Sequence, residues 1–165
     1  MSRVLRVGLA GAGWVSEHHL DAWTRLSDRV AVVAIADPDR GAAARRASAY
    51  GIPAVYASVE AMLEGEALDA IDVATPRETH ASNCGLAAGH GVDILCQKPL
   101  APTLPEAEAL VAGVGDRVRL MVHENWRFRP HYRRIHGWLR DGRIGQVRSA
   151  VMRILTSGLV PDENG

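Results

Sequence analysis

The stretch that most constrains this chain is a short apolar run that leads into a glycine-rich turn, VLRVGLAGAGWVS at residues 4–16. The apolar run predicts a strand, and the residues from Trp14 onward predict a helix. Gly11 and Gly13 occupy the first two positions of the pattern G-x-G-x-x-G, and Ser16 takes the third. In this pattern one glycine permits the turn and the next lets the backbone approach a pyrophosphate. The stretch therefore predicts a phosphate-binding turn, although the same pattern also occurs as a plain strand-to-helix turn.

An acidic residue follows the next predicted strand. Residues 30–36, VAVVAIA, form a nearly continuous apolar run that suits a strand buried on both faces. Asp37 comes next, where dinucleotide-binding folds place the acid that accepts hydrogen bonds from the adenosine ribose. A carboxylate there also repels a ribose phosphate, by up to about 4 kcal/mol at about 4 Å and an effective dielectric near 20. Asp37 therefore predicts NAD rather than NADP; the alternative is that it only opens the Asp37-Pro38-Asp39 turn.

Strands and helices alternate through the first 123 residues. Besides the two strands above, short apolar runs predict strands over residues 55–56, 70–74, 92–96 and 118–122. Apolar residues at helical spacing predict the buried faces of four helices: Val15, Leu20, Trp23 and Leu26; Ala43, Ala47 and Tyr50; Ala81, Cys84 and Ala88; and Leu104, Ala107 and Val111. The alternation implies right-handed crossovers and a parallel sheet. The predicted fold class is α/β, a Rossmann-type doubly wound sheet.

Capping residues indicate several helix ends. Asp39 and Ser58 stand at N-cap positions, and Gly51 stands where a left-handed residue ends a helix. Thr103 and Glu106 have the spacing of a capping box. These local signals support the predicted alternation.

Polar residues follow the strands predicted at 70–74 and 92–96. Thr75-Pro76 ends the first strand, with His80 within one helical turn, and Gln97-Lys98-Pro99 ends the second. Because open parallel sheets bind ligands at the carboxyl ends of their strands, we interpret these residues as parts of one site. Pro99 restricts Lys98 to extended conformations, which would aim its ammonium group. The alternatives are that Thr75 is a helix cap, His80 a polar first-turn residue and Lys98 a solvated loop lysine.

A polar, aromatic and basic cluster, HENWRFRP at residues 123–130, follows the last predicted strand. Asn125 within it is a further candidate for the cofactor site. Interleaved arginines and aromatic residues can bind nucleic acid, but a single turn without a wider basic surface argues against that function. The cluster is alternatively a hinge between two domains.

The pattern changes beyond the cluster. Ile135, Trp138 and Leu139 predict one helix, and residues 147–155 predict a strand. We therefore predict a Rossmann domain over residues 1–123 and the first helix and strand of an incomplete α+β domain over residues 124–165.

Composition excludes several classes of protein. The 165 residues include 19 basic and 19 acidic side chains, so bulk charge suggests neither a nucleic-acid nor a membrane partner. Cys84 and Cys96 lack metal-ligand spacing, which predicts two reduced thiols in a cytoplasmic protein and no metal site. No apolar run approaches the length of a membrane span. The sequence leaves homo-oligomer formation open.

With these residues in place, the sequence resembles the glucose-fructose oxidoreductase and myo-inositol dehydrogenase (Gfo/Idh/MocA) family of nicotinamide-dependent oxidoreductases. The resemblance rests on five motifs in order: residues 7–13 with Ser16 and His19, Ala36-Asp37, Thr75-Pro76 with His80, Gln97-Lys98-Pro99-Leu100, and Arg127-Phe128 with Pro130. It implies an N-terminal Rossmann domain and a C-terminal domain that binds a sugar or polyol.

The resemblance also implies site residues. Lys98 corresponds to the lysine that lies near the nicotinamide and the substrate hydroxyl, where a cation stabilises the developing alkoxide. The cofactor-binding residues it implies, together with the motifs above, are Gly11, Gly13, Trp14, Val15, Asp37, Thr75, Pro76, His80, Gln97, Lys98 and Asn125.

Three departures qualify the resemblance. Gln97 stands where the family usually has glutamate, and Arg77 where it often has a neutral amide. Family members typically continue past this point with an acid and a catalytic histidine, so we assign no catalytic histidine here and expect cofactor binding without turnover from this chain. A nucleotide-binding fragment or a subunit that needs another chain is therefore an alternative to an NAD-dependent dehydrogenase. An interaction protein that uses residues 147–155 as an edge strand is a third hypothesis.

Overall fold

The computed structural model describes residues 3–153. Six parallel strands form one sheet in the order β3-β2-β1-β4-β5-β6. The strands are β1 (Leu5–Ala10), β2 (Val30–Ala36), β3 (Ala54–Tyr56), β4 (Ala70–Val73), β5 (Asp93–Gln97) and β6 (Leu120–His123). This order, which reverses between β1 and β4, is that of a doubly wound Rossmann sheet, so the predicted fold class is confirmed.

Helices connect consecutive strands, and a further helix follows β6. They are α1 (Trp14–Thr24), α2 (Arg40–Tyr50), α3 (Val59–Gly65), α4 (His80–Gly89), α5 (Leu104–Val114) and α6 (Pro130–Arg140), with short 3-10 turns at Arg77–Thr79 and Asn125–Phe128. Helix α1 ends before Leu26, which sequence analysis had placed on the helix. The predicted caps are confirmed: Asp39 and Ser58 accept backbone N–H groups, and Thr103 and Glu106 form the capping box.

Two apolar layers cover the two faces of the sheet. Alternate residues of one strand reach opposite layers, since Leu9 packs with α1 and α2 while Ala10 packs with α3, α4 and α5. Both residues are fully buried. The carboxyl ends of β1, β4 and β5 therefore emerge between two packed layers, at one edge of the sheet.

The buried faces of α4 and α5 differ from the predicted ones. Ala81 of α4 is exposed, and α4 buries His80, Asn83, Cys84, Ala87 and Ala88. In α5, Leu104 and Val111 are 71% and 52% exposed, whereas Leu110 and Val114 are buried. Small and apolar residues occur on all sides of α5, so its periodicity does not fix which side meets the sheet.

The chain divides into two compact units after Glu124. In the second unit α6 is amphipathic and begins at Pro130, and it carries Ile135, Trp138 and Leu139, which the sequence predicts to lie on one helix. The predicted strand at 147–155 is wrong over the described part, because residues 147–153 adopt no strand; Ile154 and Leu155 lie outside the described residues. A strand needs a hydrogen-bonded neighbour, and residues 125–153 contain no other strand to provide one. No helix among residues 3–153 is both long and apolar enough to cross a membrane.

Candidate functional site

The glycine turn begins where β1 ends. Gly11 has a φ of +98°, and a Cβ atom there would lie 2.8 Å from the carbonyl oxygen of Ala74. The Gly11 N–H donates to Ala36 O at 2.8 Å, and the Ala74 N–H donates to Ala10 O at 2.8 Å. The turn is thus wedged between the ends of β2 and β4, and the fold itself requires glycine at this position.

Gly13 is glycine for a different reason. It is the N-cap of α1, no side chain caps this helix, and a Cβ atom built on Gly13 meets no atom within 4 Å. Ser16 turns inward and its hydroxyl donates to Gly13 O at 2.6 Å. The protein's own packing would therefore accept a side chain at Gly13, but the open space lies at a helix N-terminus, where backbone N–H groups and the helix dipole favour an anion.

Trp14 and Val15 form the first turn of α1. Trp14 is 77% exposed, and its indole contacts the His18 ring edge-on, with centroids 4.8 Å apart. Val15 is half-buried and packs against the apolar layer formed with α2. Trp14 is therefore the one of the two whose side chain is free to meet a bound molecule.

Asp37 follows β2, and its side chain joins the glycine turn after β1 to the turn after β2. One carboxylate oxygen accepts the Ala12 N–H at 2.7 Å, and the other accepts the Asp39 N–H at 2.8 Å. Each oxygen keeps a second lone pair, so the side chain is able to accept a ligand hydroxyl as well. Asp37 both opens the turn and faces the glycine loop, so the two interpretations of this residue are compatible.

Arginines of α2 lie beside this region, and sequence analysis did not select them. The Arg46 guanidinium donates to Gly13 O at 3.4 Å and pairs with Glu17 at 3.1 Å. Arg45 and Arg46, with Ala12 and Ala42, line a cleft of about 260 Å³. Their spacing along α2 gave no sign of this, because the contact depends on how α2 packs beside the glycine turn.

Thr75 and His80 organise the loop after β4. The Thr75 hydroxyl accepts hydrogen bonds from the Thr79 hydroxyl at 2.8 Å and the Asn83 amide at 3.2 Å. The His80 ring is buried, with Nε2 2.9 Å from Thr75 O and Nδ1 3.1 Å from Pro99 O. His80 thus connects the loops after β4 and β5 through their carbonyl groups, and both of its ring nitrogens face protein atoms. Pro76 is exposed.

Gln97 and Lys98 lie where β5 ends. The Gln97 side-chain oxygen accepts the Lys98 N–H at 2.7 Å, and its side-chain nitrogen lies 2.9 Å from His19 Nε2. The Lys98 side chain is exposed, and its ammonium group makes no ion pair with any of residues 3–153. Lys98 is therefore an exposed cation on a backbone that its neighbour holds.

A buried carboxylate lies behind Gln97, and sequence analysis missed it. Asp72 of β4 is fully buried, and His19 Nδ1 lies 2.9 Å from both of its oxygens. The Trp23 indole N–H donates to the same carboxylate at 2.7 Å. The signal was available, because Asp72 is a charged residue inside an apolar strand, but its partners on α1 lie about 50 residues away in the chain.

His123 ends β6 next to this carboxylate group. Its ring meets the His19 ring edge-on, with centroids 4.6 Å apart, and its Nδ1 is buried without a hydrogen-bond partner among the described residues. Burial lowers the pKa of His123, and the neighbouring His19 lowers it further. Asn125, by contrast, begins the second unit, as the first residue of a 3-10 turn.

The structure therefore brings most of the predicted site residues to one edge of the sheet. Strand register places Ala10 beside Val73 and Val73 beside Cys96, so the turns after β1, β4 and β5 are adjacent. The assignment of the individual side chains to a cofactor stays a prediction.

Known proteins resemble most of this chain in sequence. A D-apiose dehydrogenase of Paraburkholderia graminis is 43% identical over 138 residues, which are 83% of this chain and 36% of that protein. An inositol 2-dehydrogenase of Rhizobium meliloti is 35% identical over 144 residues, which are 87% of this chain and 43% of that protein. The chain thus spans less than half the length of these relatives.

Solved structures agree with the sequence relatives. An oxidoreductase from Agrobacterium radiobacter in complex with NAD+, L-tartaric acid and magnesium superposes with a TM-score of 0.83 at 30% identity, over 87% of this chain and 42% of that one. The WlbA dehydrogenase of Bordetella pertussis, in complex with NADH and UDP-GlcNAcA, superposes with a TM-score of 0.82 at 28% identity, over 87% of this chain and 44% of that one. Residues 5–123 match the family described as an oxidoreductase family with an NAD-binding Rossmann fold, and this chain belongs to that family.

Proposed function

We propose that this chain binds NAD(H) at the carboxyl edge of its sheet and provides Lys98 to a hydride transfer between NAD and a CH–OH group of a sugar or polyol. The observation that carries the proposal is the open space at Gly13, beside the uncapped start of α1. The relatives named above for apiose and inositol support the substrate class.

The residues present fit a dinucleotide. The N–H groups at the start of α1 and the missing Cβ of Gly13 would hold the pyrophosphate, because backbone amides can approach it closely there. Asp37 would accept the hydroxyls of the adenosine ribose with the lone pairs that Ala12 and Asp39 leave unused. Bound NAD+ would supply the hydride acceptor.

Lys98 has the chemistry that a hydride transfer from an alcohol needs on the protein side. As hydride leaves the carbon, negative charge develops on the alcohol oxygen, and a positioned ammonium group stabilises that charge. The Lys98 ammonium is exposed and is not neutralised by a carboxylate among residues 3–153, while hydrogen bonding to Gln97 holds its backbone. Lys98 is therefore our candidate catalytic residue.

Calorimetric titration of the chain with NAD+ and with NADP+ tests the cofactor site. We expect tighter binding of NAD+, since the Asp37 carboxylate repels a phosphate on the ribose. Asp37→Asn keeps one acceptor oxygen and removes the charge, so it should reduce the preference for NAD+ at least tenfold, about 1.4 kcal/mol.

Asp39→Ser is the matched control, because it removes an exposed carboxylate of the same turn and keeps a side chain able to cap α2. It should leave the preference unchanged. Equal affinities of the unmodified chain for NAD+ and NADP+ would reject the role of Asp37, and failure to bind either cofactor would reject the proposed function.

A further inference from the structure

A continuous line of hydrogen bonds runs from a buried carboxylate to the exposed backbone of Lys98. It runs from the Asp72 carboxylate on β4 to the His19 ring on α1, then to the Gln97 amide, and then to the Lys98 N–H. Asp72 is fully buried and His19 is 3% exposed. We call these four groups the Lys98 chain; it contributes nothing to the pyrophosphate or ribose contacts proposed above.

The donor and acceptor of every bond in the Lys98 chain follow from one fixed point. A backbone N–H can only donate, so the Gln97 oxygen must face Lys98 and the Gln97 NH2 group must face His19 Nε2. The NH2 group also only donates, so Nε2 carries no proton. The ring proton therefore lies on Nδ1, which donates to the Asp72 carboxylate. This geometry assigns His19 as the neutral Nδ1–H tautomer.

We propose that the Asp72 and His19 side chains, acting through Gln97, position the backbone of Lys98 only while His19 is neutral. If His19 takes up a proton on Nε2, two donors face each other across the 2.9 Å contact. Rotating the Gln97 amide satisfies His19, but it turns the NH2 group toward the Lys98 N–H. Gln97 can then form a hydrogen bond with His19 or with the Lys98 N–H, but not with both. Acidification therefore releases the Lys98 backbone.

Titratable and polar groups face the His19 ring from the elements packed against it. The Asp72 carboxylate faces the ring from β4, and the Trp23 indole N–H donates to the same carboxylate. The His123 ring faces His19 from β6. Gln97 itself, on β5, is uncharged.

A glutamate at position 97 would reverse the dependence. A carboxylate has two accepting oxygens, so it can accept the Lys98 N–H and a protonated His19 Nε2–H at once. In Gln97→Glu the Lys98 backbone is held by the imidazolium form, which two carboxylates then flank. The inference rests on the proposed role of Lys98 for its meaning in catalysis, but the protonation of His19 is measurable without it.

Nuclear magnetic resonance of the 15N-labelled 165-residue chain tests the proposal. Long-range 1H–15N correlations should show a protonated Nδ1 and an unprotonated Nε2 in His19 at neutral pH. As the pH is lowered, solvent exchange of the Lys98 amide, corrected for its intrinsic rate, should accelerate about tenfold in step with protonation of His19. In Gln97→Glu both ring nitrogens should be protonated at neutral pH, and the Lys98 amide should stay protected over the same range.

Two further variants keep the test decisive. Gln97→Met preserves the size of the side chain and removes its donor and acceptor, so the Lys98 amide should exchange fast at every pH. Asp69→Asn, which removes a carboxylate just before the opposite end of β4, should change neither the tautomer nor the exchange.

Opposite outcomes separate this inference from the proposed function. A proton on His19 Nε2 in the neutral ring, or Lys98 exchange that ignores the titration of His19, would overturn the inference even if NAD+ binds. Absence of NAD+ binding in calorimetry, with the His19 tautomer as assigned, would overturn the proposed function and leave the tautomer assignment standing.

Discussion

The two edges of the sheet use carboxylates in opposite ways. At the amino edge, Asp69 precedes β4 and accepts the Arg6 N–H at 2.8 Å, and it also pairs with the Arg3 guanidinium. Asp93 begins β5 and accepts the backbone and side-chain N–H groups of Arg119. Asp69 and Asp93 thus each join neighbouring strands and have a cation as partner.

At the carboxyl edge, Asp37 and Asp72 form no ion pair with an arginine or lysine of the described residues. Asp37 accepts two backbone N–H groups, and Asp72 accepts from the rings of His19 and Trp23. At the amino edge, by contrast, the Arg119 side chain, and then its backbone N–H, lower the pKa of Asp93. Arginines thus hold Asp69 and Asp93 at one edge, whereas at the other edge the negative charge of Asp37 and an uncapped helix start stay available to a ligand.

The largest expected effect comes from a pair of glycines, one at each edge. Gly11→Ala places a Cβ 2.8 Å from Ala74 O at a positive φ, so both strain and overpacking destabilise the protein, by about 3 kcal/mol in the free energy of unfolding. Gly51→Ala, at the C-cap of α2 toward the amino edge, has a φ of +67° but meets no atom within 4 Å, and should cost about 1 kcal/mol.

Urea unfolding of both variants measures the difference. Equal losses would contradict the conclusion that the end of β4 confines the glycine turn.

Gly13→Val tests the open space at the carboxyl edge. A branched side chain there would occupy the place of the pyrophosphate, so NAD+ should bind at least tenfold more weakly, which is about 1.4 kcal/mol. The fold should persist, because a Cβ at Gly13 meets nothing. Calorimetry measures the affinity and circular dichroism the fold.

Gly85→Val, at an equally open position of α4, is the control and should bind NAD+ normally. A folded Gly13→Val variant with unchanged affinity would show that the turn has only a structural role.

Local signals in the sequence accounted for the sheet and for the residues at its ends. The apolar run of β2, the capping box of Thr103 and the left-handed Gly51 each depend on a few adjacent residues, and each is found where predicted. What local pattern could not supply was long-range pairing. His19 and Asp72 are hydrogen-bonded across α1 and β4, and Gln97 joins them from β5, so no spacing in the sequence reveals the Lys98 chain.

The wrong predictions for the buried side of α5 and for residues 147–153 have the same physical origin. The buried side of α5 is Leu110 and Val114 because that side meets the sheet, while Leu104 is equally apolar and lies outside. Residues 147–153 include Val147 and Val151, which favour strands, but the ladder partner that a strand requires is absent from residues 125–153. Tertiary neighbours, rather than propensity, decide both cases.

The pH dependence of the free energy of unfolding in Asp69→Asn tests the ion pair of Asp69 at the amino edge. The Arg6 N–H, and then the Arg3 guanidinium, hold the pKa of Asp69 below its usual value of 3.8. A folded-state pKa below the unfolded one stabilises the protein above pH 3.8, and this contribution is lost as pH falls through the folded pKa. Asp69→Asn should therefore cost about 1 kcal/mol at neutral pH and progressively less in acid.

Binding of NAD+ by this variant should be unchanged, because Asp69 lies at the edge away from the site. A loss of stability that is the same at pH 7 and well below pH 4 would contradict the ion-pair account.

The smallest effect is expected from His123. This residue should make the carboxyl edge sensitive to acid at a higher pH than Asp69 does at the amino edge. Burial, and then the neighbouring His19, hold the pKa of His123 below 6.5, so the unfolded chain takes up a proton before the folded one does. The free energy of unfolding should then decrease as pH falls from about 7 to about 5, with a slope of less than one proton per molecule. His123→Gln should remove this slope, measured by urea unfolding across that range. The same substitution at His90, an exposed histidine at the end of α4 toward the amino edge, controls for the general effect of replacing histidine by glutamine. If His123→Gln and the unmodified chain lose stability in parallel between about pH 7 and pH 5, then burial of His123 does not cause the acid sensitivity, and the contrast between the two edges fails at this position.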